Sequence, residues 1–213
     1  MTDKALYDPD CRRCARLAGF LGEVRARHPD YWAHPVPSFG AADPRILIVG
    51  LAPGLHGENR TGRPFTGDYA GILLYQTLHE AGLASHPHSQ SRDDGLKLRH
   101  ARIVNSVKCV PPQNKPTPAE IRTCNAYLRE ELARLARVRV VLALGRIAHE
   151  AFLRASGLKP SAFPFAHGRE HPLQDGRTLL DSYHCSRYNT STRRLTPEMF
   201  RRVVGRACAL AGV

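Results

Sequence analysis

The chain has 213 residues, 42% of them hydrophobic, which is enough for one sizeable core and short for two. Its 31 Lys and Arg outweigh 19 Asp and Glu, a formal net charge of +12, and most of the basic residues are arginine, whose planar fork suits phosphate. That balance points to a polyanion partner, nucleic acid ahead of a membrane surface, and no apolar run approaches the roughly 18 residues of a membrane span.

The first residues, MTDKALYDPDCRRC, lack the apolar stretch of a signal peptide, so the expected location is the cytoplasm. Residues 11–27 set Cys14, Leu17, Leu21 and Val24 at helical spacing, with arginines on the other face. Cys11 and Cys14 thus read as a C-x-x-C pair on a helix. HPDYWAHPVPSFGAADP (28–44) reads as an ordered crossing rich in proline and aromatics. Four short apolar runs follow at 45–50, 102–107, 138–144 and 177–182, each a candidate buried parallel strand. Helical patterns occupy 71–82, 118–135, 145–156 and 196–211; TPAE at 117–120 supplies a Thr cap, a proline at the first position and a glutamate three residues on. Residues 84–100, polar and with three histidines, read as an exposed loop. Alternating strands and helices predict one domain over 1–213, an α/β protein of the three-layer α/β/α sandwich type around a mainly parallel four-stranded sheet. Ligands of such sheets gather outside the carboxyl ends of the strands.

Three unusual loops would share that rim. The first, GLAPGLHGENRTGRPFTGD (50–68), holds five glycines and two prolines directly after a strand. Glycine gives up the most freedom on folding, so such a loop implies a need for close backbone approach. It lacks the Lys-Ser/Thr of a phosphate-cradling loop, and Gly50, Gly54 and Gly57 miss the dinucleotide spacing. What it offers is backbone donors over 50–54, an aromatic ring at Phe65 and a carboxylate at Asp68. The other two loops are KCVPPQNK (108–115) and YHCSRYN (183–189).

Six cysteines in a reducing compartment point to metal or redox chemistry more than to disulfides. The close pair Cys11 and Cys14 with the distant Cys109 and Cys124 suits an iron–sulfur cluster, with a four-cysteine zinc site as the alternative. Cys208 reads as a core residue, and Cys185 as a small buried one.

Together these segments resemble the uracil-DNA glycosylase superfamily, and within it the iron–sulfur-containing family 5 (type B). GLAPG…NRTGRPFTGD resembles that family's first motif, HCSRYN (184–189) its second, and KCVPPQNKP (108–116) the segment bearing its third cluster cysteine; the likeness runs from about Cys11 to Leu210. The resemblance implies an enzyme that flips uracil out of double- or single-stranded DNA and hydrolyses its N-glycosidic bond. It implies a 4Fe-4S cluster on Cys11, Cys14, Cys109 and Cys124, and a monomer. It assigns Asp68 to orienting water or offsetting the sugar's positive charge, His184 to donating to uracil O2, and Asn114 to sharing the water. Gly50, Ala52, Gly54 and Phe65 would hold the base, and Ser186, Arg187 and Asn189 would enter the minor groove. Asn105 stands where family 5 often has a small apolar residue; other branches use an Asn there to read the uracil edge. The alternative class is an iron–sulfur nucleic-acid-binding protein without glycosylase activity, which leaves Asp68 and His184 without a task.

Overall fold

In the computed structural model, which describes residues 7–213, seven α-helices surround one sheet. Helix α1 (Ala15–Arg27) is followed by β1 (Phe39–Gly40) and β2 (Ile46–Gly50), then α2 (Glu58–Thr61) and α3 (Tyr69–Glu80). Next come β3 (Ala101–Asn105), α4 (Pro118–Arg134), β4 (Val140–Leu144) and α5 (Arg146–Ala155). The chain ends with β5 (Glu170–Pro172), β6 (Thr178–Ser182), α6 (Arg187–Ser191) and α7 (Pro197–Ala211).

The sheet order is β1-β3-β2-β4-β6-β5. Its four central strands are parallel and match the four predicted runs, while β1 and β5 flank them antiparallel. The sheet therefore has six strands and not four. The two extra strands are only two and three residues long and contain Gly40 and Pro172, so they carry no readable periodicity. The central strands are buried on both faces because helices cover both. Ile46, Ile48, Leu142 and Leu180 pack with α3 and α7 through Leu74, Leu78, Phe200 and Val204. Leu47, Val49, Val141 and Leu179 pack with α4 and α5 through Leu128, Leu132, Phe152 and Leu153. This alternation of one β2 strand between two cores makes the three layers.

Several caps behave as their chemistry dictates. Thr117 and Glu120 close a capping box on α4, Thr196 caps α7, and Asp68 caps α3. Cys14 is the N-cap residue of α1 with extended backbone, so the C-x-x-C pair lies on the approach to the helix and not on it. Residues 84–100 are less exposed than predicted: Leu96 and Leu98 are buried beside Leu78 and Leu83, and Ala84 bridges to Leu98. Among the described residues no helix is long and apolar enough to cross a membrane.

Below β6 lies a polar knot. His149 Nδ1 is 2.6 Å from Asp181 Oδ1 and its Nε2 2.8 Å from the Phe163 carbonyl, while His171 Nε2 is 3.0 Å from Asp181 Oδ2. Both His149 nitrogens are within hydrogen-bond distance of oxygens, which ties the ring to β6 and to the segment before β5. All three side chains are at most 7% exposed, so replacing one Asp181 oxygen by an NH2 breaks one of these buried contacts with no water to take its place. Asp181→Asn is expected to cost about 3 kcal/mol or more, read as a lower urea midpoint at unchanged denaturant slope.

Candidate active site

The central strands end in register, Gly50 beside Asn105 and Leu144 beside Ser182. The loop after β2, the last residue of β3 and the segment after β6 therefore meet at one rim. The chain leaves β2 toward β3 and later leaves β4 toward β6, so the crossovers diverge between β2 and β4, where α/β sheets open a crevice.

The glycines of the first loop are where side chains press onto backbone. A Cβ on Gly50 would lie 2.4 Å from Asn105 Oδ1 and 2.8 Å from Phe65 Cε2. One on Gly57 would lie 2.5 Å from Asp68 Cβ, and one on Gly71 only 1.8 Å from the Phe65 carbonyl oxygen. Gly54 faces Asp68 Oδ2 across 3.8 Å measured from its ideal Cβ. Phe65 itself has φ +53°, a left-handed conformation unusual for so bulky a residue, and its ring is buried.

Asp68 Oδ1 accepts from Gly71 N at 3.0 Å as the α3 cap. Burial raises its carboxyl above the usual range, and the N–H groups of Gly71 and Ala70 partly offset this. His184 follows β6, and its ring centroid lies 5.8 Å from that of Phe65 with planes 31° apart. Burial pushes its imidazole down to about 4, so it is neutral at physiological pH. Asn105 donates from Nδ2 to Glu58 Oε2, and its Oδ1 is buried with no hydrogen-bond partner.

Asp68, Gly50, Gly54, Phe65, Asn105 and His184 are thus brought together as predicted. Other predicted residues stand elsewhere or act differently. Ala52 packs with Leu55 against the core around Leu17 and Val107. Asn114 is exposed in the turn Pro112–Asn114, with no hydrogen bond joining its side chain to Asp68 or His184 among the described residues. Asn189 Nδ2 donates to the His184 carbonyl at 2.8 Å and Ser186 caps α6, so both hold the His184 segment in place. Arg187 is exposed, its guanidinium 5.4 Å from the Tyr69 ring, and with Asp68, Tyr69, Gln76 and His79 it lines an open groove of about 820 Å³.

Two residues escaped sequence reasoning. Glu58 is 2% exposed and its carboxyl is held well above the usual range, first by burial and then by the neighbouring Asp68. An acid inside a polar loop reads as solvated, so no sequence signal marked it. Tyr188 is 71% exposed beside Arg187, and its place in YHCSRYN was the available clue.

The four predicted cysteine ligands line a second pocket, with Tyr7, Lys108 and Tyr127. Cys11 and Cys14 come from the approach to α1, Cys109 from the loop after β3 and Cys124 from α4. Among the described residues no three of their sulfurs lie within 4.8 Å of one another, and the Tyr127 hydroxyl is buried beside Cys11. Cys185 is fully buried and Cys208 half-buried beside the α7 core.

One strand-end rim thus holds a helix-capping carboxyl, a neutral imidazole and a buried aromatic. The family model for the uracil DNA glycosylase superfamily matches residues 37–207, and the chain belongs to that superfamily. A Thermus thermophilus protein named type-5 uracil-DNA glycosylase is 54% identical over 95% of this chain and 94% of its own. Proteins of the same name from Pyrobaculum aerophilum and Mycobacterium tuberculosis are each 44% identical over 95% of this chain, and over 90% and 79% of their own.

The His184 environment generates a pH test. The folded state disfavours the charged ring, so the unfolded chain takes up this proton first as pH falls. The His184 contribution to stability is therefore complete above about 6.5 and is lost progressively toward about 4. Glu58 and Asp68, both raised, act in the opposite sense, so the informative quantity is the difference between variant and parent. His184→Gln is expected to flatten the loss of urea midpoint between pH 6.5 and 4; parallel curves would refute the buried neutral imidazole.

Proposed function

We propose that the chain is a single-domain DNA glycosylase that takes uracil out of DNA and hydrolyses its N-glycosidic bond, leaving an abasic site. The observation that carries this reading is the convergence of Asp68, His184 and Phe65 at the strand ends, and the names of the similar proteins agree with it. Extruding a base from a duplex exposes a flat apolar ring that needs a stacking surface. Phe65 supplies it. As the bond breaks, positive charge grows on the sugar and negative charge on the uracil oxygens. Asp68 faces the first, by orienting water or by direct attraction. Neutral His184 donates a hydrogen bond to the second, a kind of contact worth about 3 kcal/mol where donors are fixed beforehand.

The basic surface supports DNA as the partner, because phosphate neutralisation dominates sequence-independent affinity. Tyr188, exposed next to Arg187 on α6, is better suited than the arginine to fill the vacated stack, since it brings an apolar ring. Arg187 is then left to grip phosphate.

The 4Fe-4S cluster is assigned to Cys11, Cys14, Cys109 and Cys124, supported by these four thiols lining one pocket, with a four-cysteine zinc site as the alternative. One zinc ion would draw four sulfurs to about 3.8 Å from one another, given Zn–S bonds of about 2.3 Å. When bound, the cluster supplies a cross-link between the α1 approach, the β3 loop and α4. The anaerobically purified protein is expected to be brown and to hold about four irons per chain. A colourless protein with one zinc would overturn the assignment.

Release of free uracil from a labelled duplex tests the activity itself. Asp68→Asn should slow single-turnover release at least about a hundredfold while duplex affinity changes little, since the interaction strengthens only in the transition state. No uracil release by the parent would favour the non-enzymatic iron–sulfur reading instead.

A further inference from the structure

Glu58 is the only acid besides Asp68 in the loop that joins β2 to α3, and it is buried on the single turn of α2. Buried carboxyls persist where partners meet them. Here the partners are Asn105 Nδ2, which donates to Oε2, and the backbone N–H of Phe65. Asn105 is 3% exposed, and its Oδ1 accepts from nothing. That oxygen lies over the bare Cα of Gly50, where a Cβ would meet both it and the edge of the Phe65 ring. An acceptor and a stacking surface therefore converge on one spot. An orphaned buried acceptor calls for a donor from outside the chain.

A carboxamide is nearly symmetric in shape, so its partners decide which end faces a pocket. We propose that Glu58 is a positioning residue for base selection: by accepting from Asn105 Nδ2 it holds Asn105 Oδ1 toward the flipped base, where that oxygen takes a ring N–H. The site then admits bases with an N–H flanked by carbonyl carbon, uracil among them, and refuses pyrimidines whose N3 carries no hydrogen. This rests on the glycosylase reading above. Burial and then Asp68 raise the Glu58 carboxyl, which the Phe65 N–H, the Asn105 amide and Lys108 partly offset, and its Oε2 is the acceptor that Asn105 Nδ2 meets. Tyr75 and Cys185, the other titratable neighbours, are themselves held uncharged by burial.

The test compares single-turnover release of uracil and of 3,N4-ethenocytosine, whose N3 bears no hydrogen, from otherwise identical duplexes. The proteins are the full chain, Glu58→Gln, Asn105→Ala and the double variant. Glutamine presents both a donor and an acceptor, so Asn105 is free to turn. The uracil-to-ethenocytosine ratio is expected to fall about tenfold in Glu58→Gln. Between Asn105→Ala and the double variant it should change by less than about twofold, because the coupling runs through Asn105. An unchanged ratio in folded Glu58→Gln, or an equal fall in both backgrounds, overturns the proposal; a merely structural Glu58 would slow both substrates alike. If ethenocytosine release stays below detection throughout, the Asn105 side-chain NH2 signals decide, identified by their absence in Asn105→Ala. Protection from exchange that is lost in Glu58→Ala supports the lock, and equal protection removes it. A parent that releases no uracil would remove the glycosylase reading instead, and the NH2 signals would still report on the pair.

Discussion

Phe65 lies so close to Gly50 that no side chain fits between its ring and the end of β2, and its carbonyl oxygen excludes one from Gly71. To get there the residue adopts φ +53°, which costs about 1–3 kcal/mol. Burying the ring returns about 1.5–3 kcal/mol, so the contact is near balance and must be held by its surroundings. Those surroundings are the rest of the site. Gly62 ends α2 in the left-handed conformation, Thr66 is tied to Ser89, and Tyr75 donates to the Pro64 carbonyl at 2.6 Å. The strained aromatic fixes where Asp68 begins α3 and how near His184 approaches.

Two carboxyls then occupy one buried region, and their environments separate them. Glu58, in the single turn of α2, is raised well above the usual range first by desolvation and then by Asp68. Asp68 sits at the start of a twelve-residue helix, where two N–H groups and the helix dipole favour the anion. Like charges this close cannot both ionise cheaply, and both carboxyls are raised, Glu58 well above the usual range.

Much of this was legible in the sequence because it depends on periodicity and capping. The four central strands lie within two residues of the predicted runs, since strands buried on both faces read as continuous apolar stretches. The convergence of Asp68, Phe65 and His184 was legible through motif resemblance and the strand-end rule. What escaped depends on tertiary contact. Glu58 looks solvated until the loop folds over it, and Asn189 looks like a surface residue until its amide reaches the His184 carbonyl. Leu96 and Leu98 were hidden by polar neighbours that dominate their segment. Cys14 continues the apolar spacing of α1, so the pattern drew it into a helix whose backbone starts one residue later.

The two pockets are not independent, because a short stretch of backbone serves both. Ser106 donates to the Gly50 carbonyl from its backbone N–H and its hydroxyl, and Val107 N donates to the Leu51 carbonyl. Lys108 N then donates to Cys124 Sγ at 3.2 Å, its carbonyl takes the Val36 N–H, and Cys109 follows. Residues 105–109 therefore carry, in order, the amide that faces the base site, the bonds that pin the glycine loop and a wall of the cysteine pocket. The Lys108 ammonium is buried beside Glu131 and Ser38, and Arg102 shares the same carboxylate. Buried ion pairs of this kind add little net stability but tolerate few alternative arrangements. A group that cross-linked the four thiols would hold this stretch from the side away from the substrate. The glycine loop, pinned at Gly50 and Leu51 by residues 106 and 107, would gain rigidity from there.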